Sequence, residues 1–434
     1  MKTAVILKEN TNIAGTKELL ALIFDYLAYH TKRLNCSIDT IFARESDTSL
    51  YLKFTDMQIE PYDKKKLSGY ENIILLGGYF HDWHFNTFTS IGAKSVYNID
   101  WTGALRSYIG AKQNLDFELE THIFNKLGPK NHIHAFDFYY FPYGYIYRDA
   151  SWGPINAFGH RINFDFNELK ARDKNHVVVA CFGGSTAWGW QCIETQVWTY
   201  YLEQMLNQSD NTKKYTVLNF ALPGNVVLNE IMHYVNLCYG LKPEVVISLS
   251  GANDLFNGQA SDEYLLEKYN ITYQQNLENW SVDIHKSDIN QTHFNSSIAK
   301  TMISKNQPLQ VINAYVSRIR QFKELSKASN AKFIWAFQPM SFDKKTFSNW
   351  EADFMKSWNK HDDKEMQNRL VQLYRALIGA IPNDLSQNFI NCHDITSQSK
   401  EWLYWDSVHL NANGQKLIAS LCFDYIKQNG YIDE

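Results

Sequence analysis

Four short polar clusters contain the residue types that acyl transfer needs. They are Ser185 in Gly-Gly-Ser-Thr, Gly224 in Ala-Leu-Pro-Gly-Asn, Asn253 in Gly-Ala-Asn-Asp and His409 in Asp-Ser-Val-His-Leu. A serine hydroxyl is a weak nucleophile and requires an adjacent base, for which His409 is the candidate. Asp406, three residues upstream, can fix the imidazole tautomer and stabilise the imidazolium. The sequence therefore predicts a nucleophile, a base and an orienting carboxylate.

The same clusters contain candidate donors for an oxyanion hole. The tetrahedral intermediate of acyl transfer carries a negative oxygen, which hydrogen-bond donors must stabilise. The backbone N–H of Ser185, the backbone N–H of Gly224 and the side-chain amide of Asn253 can supply three donors. Gly183 and Gly184 allow the tight turn that would bring Ser185 out of the sheet.

Each cluster alone has a simpler structural interpretation. Ser185 could cap a helix, the Asn253-Asp254 pair could form a turn, and Asp406-x-x-His409 could cap the last helix. We expect Asp254 mainly to hold the loop around Asn253. The combination of four clusters, each at a predicted strand end or helix start, favours a catalytic site.

The elements that must position these clusters are predicted from apolar runs that alternate with helical periodicity. This order predicts a three-layer α/β/α fold with a mostly parallel sheet. In such a sheet the carboxyl ends of the strands meet at one edge, where ligands bind. The predicted strands are 177–182, 216–220, 244–249, 332–337 and 389–392.

A length of 434 residues is sufficient for two domains. We expect a smaller N-terminal α/β domain of unknown role over 1–135, and an aromatic connector over 136–174 that packs it onto the rest. The catalytic domain would cover 175–434. A polar segment at about 257–307 interrupts the catalytic domain. Three interpretations of this segment are a lid, a binding excursion and a disordered insert.

Composition argues against several classes of protein. A net charge of −4 is unlike a nucleic-acid-binding protein, and six scattered cysteines without a C-x-x-C pair argue against a zinc cluster or disulfide scaffold. His81, Asp82 and His84 lack further ligands, so no metal or cofactor is expected. The absence of an apolar stretch long enough for a membrane span, and of a signal peptide, predicts a cytoplasmic location.

Four residues near the clusters are candidates for substrate binding. Trp188 and Trp190 follow the nucleophile and could line an acyl or sugar pocket, or could equally pack the core. Asn225 follows Gly224 directly, and Gln338 follows a late strand. The expected partner is a small-molecule or glycan ester, and the oligomeric state is not predicted.

Taken together, the clusters resemble the motifs of the SGNH hydrolase superfamily, also called the GDSL esterase/lipase family. Its four-letter name denotes the residues matched here by Ser185, Gly224, Asn253 and His409, and its Asp-x-x-His block adds Asp406. The resemblance covers about residues 150–430.

The sequence departs from the family pattern in the motif that contains Ser185. Gly184 and Thr186 stand where the family has Asp and Leu. Such a block is similar to the bacterial Gly-Gly-Ser-Thr branch, and the lost Asp is not a member of the triad.

The resemblance implies a flavodoxin-like fold and a metal-free Ser-His-Asp mechanism for ester hydrolysis. We therefore expect a serine esterase that removes an acyl group, often acetyl, from a carbohydrate or other small metabolite. An acyltransferase with the same triad is an alternative, because both reactions share the acyl-enzyme. A catalytically silent binding protein is a third hypothesis, which the intact Ser185, Asn253, Asp406 and His409 disfavour.

Overall fold

The structure is a computed structural model that describes most of the chain. Its described residues form two β-sheets flanked by helices and a separate β-hairpin. The predicted segment 257–307 and the residues His81, Asp82 and His84 lie outside the described part. The described ranges are 2–7, 16–43, 57–77, 93–100, 102–109, 138–141, 144–147, 150–156, 158–162, 164–256, 308–352 and 364–432.

The N-terminal sheet has six strands in the order β3-β2-β1-β4-β5-β6. All its neighbouring pairs are parallel except β5 with β6, which is antiparallel. The order reverses between β1 and β4, as in doubly wound α/β folds. The elements are β1 (Thr3–Leu7), α1 (Thr16–Arg33), β2 (Thr40–Ala43), β3 (Ile59–Pro61), β4 (Asn72–Leu76), β5 (Ser95–Ile99) and β6 (Leu105–Ile109).

The C-terminal sheet has five parallel strands in the order β10-β9-β11-β12-β13. This is the flavodoxin-like order, so the predicted α/β fold class is confirmed. The strands are β9 (His176–Gly183), β10 (Lys214–Asn219), β11 (Val245–Ser250), β12 (Lys332–Phe337) and β13 (Phe389–Asn391).

The helices that accompany this sheet alternate with its strands. The sequence periodicity predicts a helix over 231–239, whereas in the structure the α-helix ends at His233 and a π-helical turn, Tyr234–Cys238, follows. The helices are α2 (Phe166–Lys170), α3 (Ser185–Trp188), α4 (Trp198–Ser209), α5 (Val227–His233), α6 (Ala252–Phe256), α7 (Pro308–Ala328), α8 (Lys364–Ile378), α9 (Asn383–Ser386), α10 (Cys392–Gln398) and α11 (Ala412–Gln428).

Two apolar layers cover the faces of the C-terminal sheet. Successive side chains of a strand point to opposite faces, and the continuous apolar run of β9 therefore supplies both layers. Val177, Val179 and Cys181 pack with α4 and α11. Val178, Ala180 and Phe182 pack with α5, α7 and α8. The burial of both faces produces the three layers and leaves the strand ends as the polar edge.

The N-terminal region packs beside the chain that leads to Asp406. Trp402 and Trp405 belong to the same buried cluster as Tyr26 and Leu27 of α1. The hydroxyl of Tyr29 donates to Glu194 Oε2 at 3.1 Å.

The aromatic connector contributes an antiparallel hairpin of β7 (Phe138–Phe141) and β8 (Gly144–Tyr147). Strand β8 contacts α5 of the C-terminal region. Across the described ranges, no helix has both the length and the apolar character to cross a bilayer.

Candidate active site

A tight turn between β9 and α3 presents Ser185. Gly183 has φ of +148°, and a Cβ atom there would lie 2.2 Å from the carbonyl oxygen of Leu249, so a side chain cannot fit. A Cβ atom on Gly184 would lie 2.5 Å from Nδ2 of Asn253. A side chain at Gly184 would therefore require the Asn253 amide to move.

Ser185, His409 and Asp406 form a continuous hydrogen-bonded chain. Ser185 Oγ lies 2.7 Å from His409 Nε2, and His409 Nδ1 lies 2.6 Å from Asp406 Oδ2. With the proton on Nδ1, the imidazole donates to Asp406 and accepts from the serine hydroxyl. Proton transfer from serine to histidine needs this arrangement.

The carboxylate of Asp406 is held in its charged form. Burial acts to raise its pKa, but the adjacent His409 and hydrogen bonds outweigh burial, so the pKa lies below its ordinary value. Among these bonds, Asp406 Oδ1 accepts from the backbone N–H groups of Val408 at 2.9 Å and His409 at 2.8 Å. A charged carboxylate beside Nδ1 favours the imidazolium that forms during acyl transfer.

The segments that contain the candidate oxyanion donors contact one another. Ser185 is the first residue of α3, where backbone N–H groups have no acceptor within the helix. The Asn253 amide, which lies against Gly184, donates to the backbone oxygen of Asn225 at 2.8 Å. Asn225 directly follows Gly224, so the loops of all three donors meet beside Ser185.

The two tryptophans after the nucleophile occupy different environments. Trp188 is fully buried, and its indole N–H donates to the backbone oxygen of Gly159 at 3.0 Å. The guanidinium of Arg161 lies 4.1 Å from the centre of the Trp188 ring. Trp190 is half-buried and stacks on His409, with ring centres 5.8 Å apart. Trp188 is thus part of the core, whereas Trp190 borders the site.

Gln338 and Thr186 link the nucleophile turn to the histidine loop. Gln338 is buried, and its amide donates to Thr186 Oγ1 at 2.9 Å. The Thr186 hydroxyl in turn donates to the backbone oxygen of Val408 at 2.9 Å. Sequence reasoning missed this role of Thr186, since no local pattern relates residues 186 and 408.

The side chain of Asn225 is also buried. Within the part of the chain that the structure describes, its amide has no hydrogen-bond partner. A buried polar group without a partner is costly unless water or a ligand satisfies it.

A further buried carboxyl group, that of Glu230, lies on α5 close to Asp254. Glu230 is fully buried and accepts a hydrogen bond from Ser248 Oγ at 2.6 Å. Burial raises its pKa to about 8, so the carboxyl group is protonated at neutral pH. Asp254 accepts from the backbone N–H of Val227 at 3.1 Å and so joins the Asn253 loop to α5.

Glu230→Gln is expected to make the protein more stable than wild type in alkaline solution. Because folding raises the pKa of Glu230, its contribution to stability is complete below its unfolded pKa and is lost as pH rises through about 8. Glutamine resembles the protonated acid but does not ionise. The free-energy difference in favour of the variant should therefore grow by about 4 kcal/mol from pH 5 to pH 9.

Urea unfolding at both pH values measures this difference. The exposed Glu324→Gln on α7 serves as the control and should show no such growth. A constant offset between Glu230→Gln and wild type across the pH range would contradict the protonated state of Glu230.

Comparison with known proteins identifies the class of this fold and site. The GDSL-like Lipase/Acylhydrolase family matches residues 181–417, more than half of the chain. The chain therefore belongs to this family and is an SGNH-type hydrolase. The resemblance seen in the four sequence clusters is thereby confirmed.

Solved structures include similar but distant chains. Axe2, an acetylxylan esterase from Geobacillus stearothermophilus, is 13% identical, with 58% of this chain and 94% of that chain covered and a TM-score of 0.35. LAE5, an alpha/beta hydrolase enzyme from the metagenome of Lake Arreo, Spain, is 12% identical, with 58% and 95% covered and a TM-score of 0.33. The comparison with curated proteins gave no match.

Proposed function

We propose that the protein is a serine esterase that removes an acyl group, by preference acetyl, from a carbohydrate or other small metabolite. The observation that carries this proposal is the hydrogen-bonded chain from Ser185 Oγ through His409 to Asp406, with distances of 2.7 and 2.6 Å. Membership of an acylhydrolase family supports ester hydrolysis as the reaction. No metal or cofactor is required for it.

The mechanism follows from the order of these groups. Ser185 Oγ attacks the ester carbonyl carbon while its proton moves to His409 Nε2, and the carbonyl π electrons move to the oxygen. Asp406 stabilises the imidazolium through Nδ1–H. Collapse of the intermediate breaks the bond to the alcohol, which leaves with the proton from Nε2. Water then attacks the acyl-enzyme with His409 as base, and the acid and free Ser185 result.

The oxyanion is proposed to bind where three donors converge. These are the backbone N–H groups of Ser185 and Gly224 and the side-chain amide of Asn253. The Asn253 amide can use its second hydrogen for the oxyanion, because the first is donated to Asn225 O.

Substrate contacts are proposed for Trp190 and Asn225. The ring of Trp190 borders His409 and offers a flat surface to the leaving alcohol or sugar ring. Asn225 offers a buried amide to a polar group of the substrate. Trp188 and Gln338 lie deeper, and we propose that they shape the site through Trp190 and Thr186.

A panel of p-nitrophenyl esters and acetylated sugars tests this function, with wild type compared with Ser185→Ala. We expect turnover of acetyl esters and labelling of Ser185 by a fluorophosphonate, located by mass spectrometry. Addition of an acceptor alcohol distinguishes transfer from hydrolysis by the product formed. Absence of both turnover and labelling would refute the proposal.

Asn253→Ala should lower kcat by about 100- to 1000-fold with little change in KM, because an oxyanion donor acts mainly in the transition state. Steady-state kinetics on p-nitrophenyl acetate measure this effect. The exposed Asn236→Ala, which removes an amide bonded to Met232 O, is the matched control. If the loss appeared in KM alone, Asn253 would be a substrate-binding residue and not an oxyanion donor.

A further inference from the structure

A buried ion pair joins Lys344 and Glu351. The ammonium of Lys344 lies 2.8 Å from Oε1 and 2.6 Å from Oε2 of Glu351, and the side chains are 0% and 2% exposed. Removing both charges from water is costly, and an apolar pair of similar size is often as stable. The remaining contacts of the pair therefore indicate what it does.

These contacts lead to the chain immediately before Asp406. Glu351 Oε1 accepts hydrogen bonds from the backbone N–H groups of Leu403 at 3.0 Å and Tyr404 at 3.2 Å. The Lys344 ammonium donates to the backbone oxygen of Glu401. The ion pair thus binds three backbone groups within 401–404.

The carboxylate of Glu351 is itself fixed in place. Its Oε2 accepts from the backbone N–H of Ser348 at 2.8 Å, and the Glu351 N–H donates to Ser348 Oγ at 3.3 Å. This reciprocal pair is a capping box at the start of a helical turn. The carboxylate can therefore act as a rigid acceptor for the 401–404 backbone.

The segment 341–351 also contacts the chain on the far side of Asp406. The backbone N–H of Ser341 donates to the oxygen of Ser407 at 2.8 Å. The indole N–H of Trp350 donates to the oxygen of Trp405 at 3.4 Å. The same segment thus holds the backbone both before and after the carboxylate that orients His409.

We propose that Glu351, paired with Lys344, is a positioning residue for the reaction. It holds the 401–404 backbone so that Asp406 and His409 stand in line with Ser185. The proposal rests on the proposed function, since it assigns a role in aligning that triad. A displacement of about 1 Å in such a group can cost on the order of 100-fold in rate.

Two double variants separate this role from simple stabilisation. Lys344→Met with Glu351→Gln, and Lys344→Met with Glu351→Met, both avoid an unpaired buried charge, which would itself destabilise strongly. Glutamine retains an oxygen that can accept from Leu403 and Tyr404, whereas methionine does not. Both are assayed on p-nitrophenyl acetate at a temperature where circular dichroism shows them fully folded.

The methionine variant is expected to have a kcat about 30- to 100-fold below that of the glutamine variant, with KM equal within about twofold. Proton NMR provides a second readout that is independent of rate. The downfield resonance of the His409 Nδ1–H bonded to Asp406 should persist in the glutamine variant and be lost or displaced in the methionine variant.

Equal kcat values for the two folded variants, or an unchanged resonance in the methionine variant, would overturn the proposal. If the methionine variant does not fold, Glu351→Asp replaces it, because it keeps the charge but withdraws the carboxylate by one methylene. Glu351→Asp should lower kcat by about 10-fold or more, and an unchanged kcat would again overturn it. Fluorophosphonate labelling of wild type in parallel shows whether the proposed function itself has failed.

Discussion

Ser185→Ala is expected to lower the rate of acyl transfer by about 10⁴- to 10⁶-fold. The substitution removes the only atom of residue 185 that can form the acyl-enzyme, while the glycine turn and the proposed oxyanion donors remain. Residual catalysis would come from these donors and from binding. Hydrolysis of p-nitrophenyl acetate measures the loss, and the fluorophosphonate label should be absent.

The fold should tolerate this change. Ser185 Oγ bonds to His409 and does not cap α3, so the unfolding temperature should stay close to that of wild type. Ser420→Ala removes an exposed hydroxyl on α11 and serves as the matched serine control. Near-wild-type turnover by Ser185→Ala would exclude this residue as the nucleophile.

His409→Ala should cause a loss of similar size, about 10⁴-fold or more. Without the imidazole, Ser185 has no base to take its proton, and Asp406 has no partner to orient. Because the residues act as one unit, Ser185→Ala combined with His409→Ala should be little worse than either alone. Single-turnover kinetics at fixed pH compare the three variants.

His176→Ala is the matched control for the histidine. His176 lies at the amino end of β9, where its ring bonds to Thr216 Oγ1 at 2.8 Å, so it is remote from the carboxyl edge. Its replacement should leave kcat within about twofold. Losses that multiply in the double variant would mean that Ser185 and His409 act independently, contrary to the proposed mechanism.

The location of the candidate site could be predicted to a large extent because its residues follow strand ends. Apolar runs mark the strands, and all neighbouring pairs of the C-terminal sheet are parallel. Polar residues after such strands must meet at one edge, which is why Ser185, Gly224 and Asn253 could be assigned to one place. The Asp-x-x-His spacing allowed Asp406 to be paired with His409 by local geometry.

The supports of the site could not be predicted in the same way. The capping box of Ser348 and Glu351 has a visible S-x-x-E pattern, but that pattern does not reveal that Glu351 also accepts from the 401–404 backbone. The position of Trp190 on the His409 ring and the bond from Thr186 to Val408 are likewise long-range contacts. Such contacts depend on how packed layers meet, which local periodicity does not encode.

The sequence by itself determined the α/β class, the strand ends and the residue types at the candidate site. Apolar periodicity and the polar residues that follow each apolar run are local properties of the chain. Tertiary structure alone decided that Trp188 is core while Trp190 faces His409, and that Asn253 takes the space above Gly184. It also decided that a buried ion pair holds the chain before Asp406. These outcomes follow from distances between segments that lie far apart in the chain, and those distances exist only after the layers have packed.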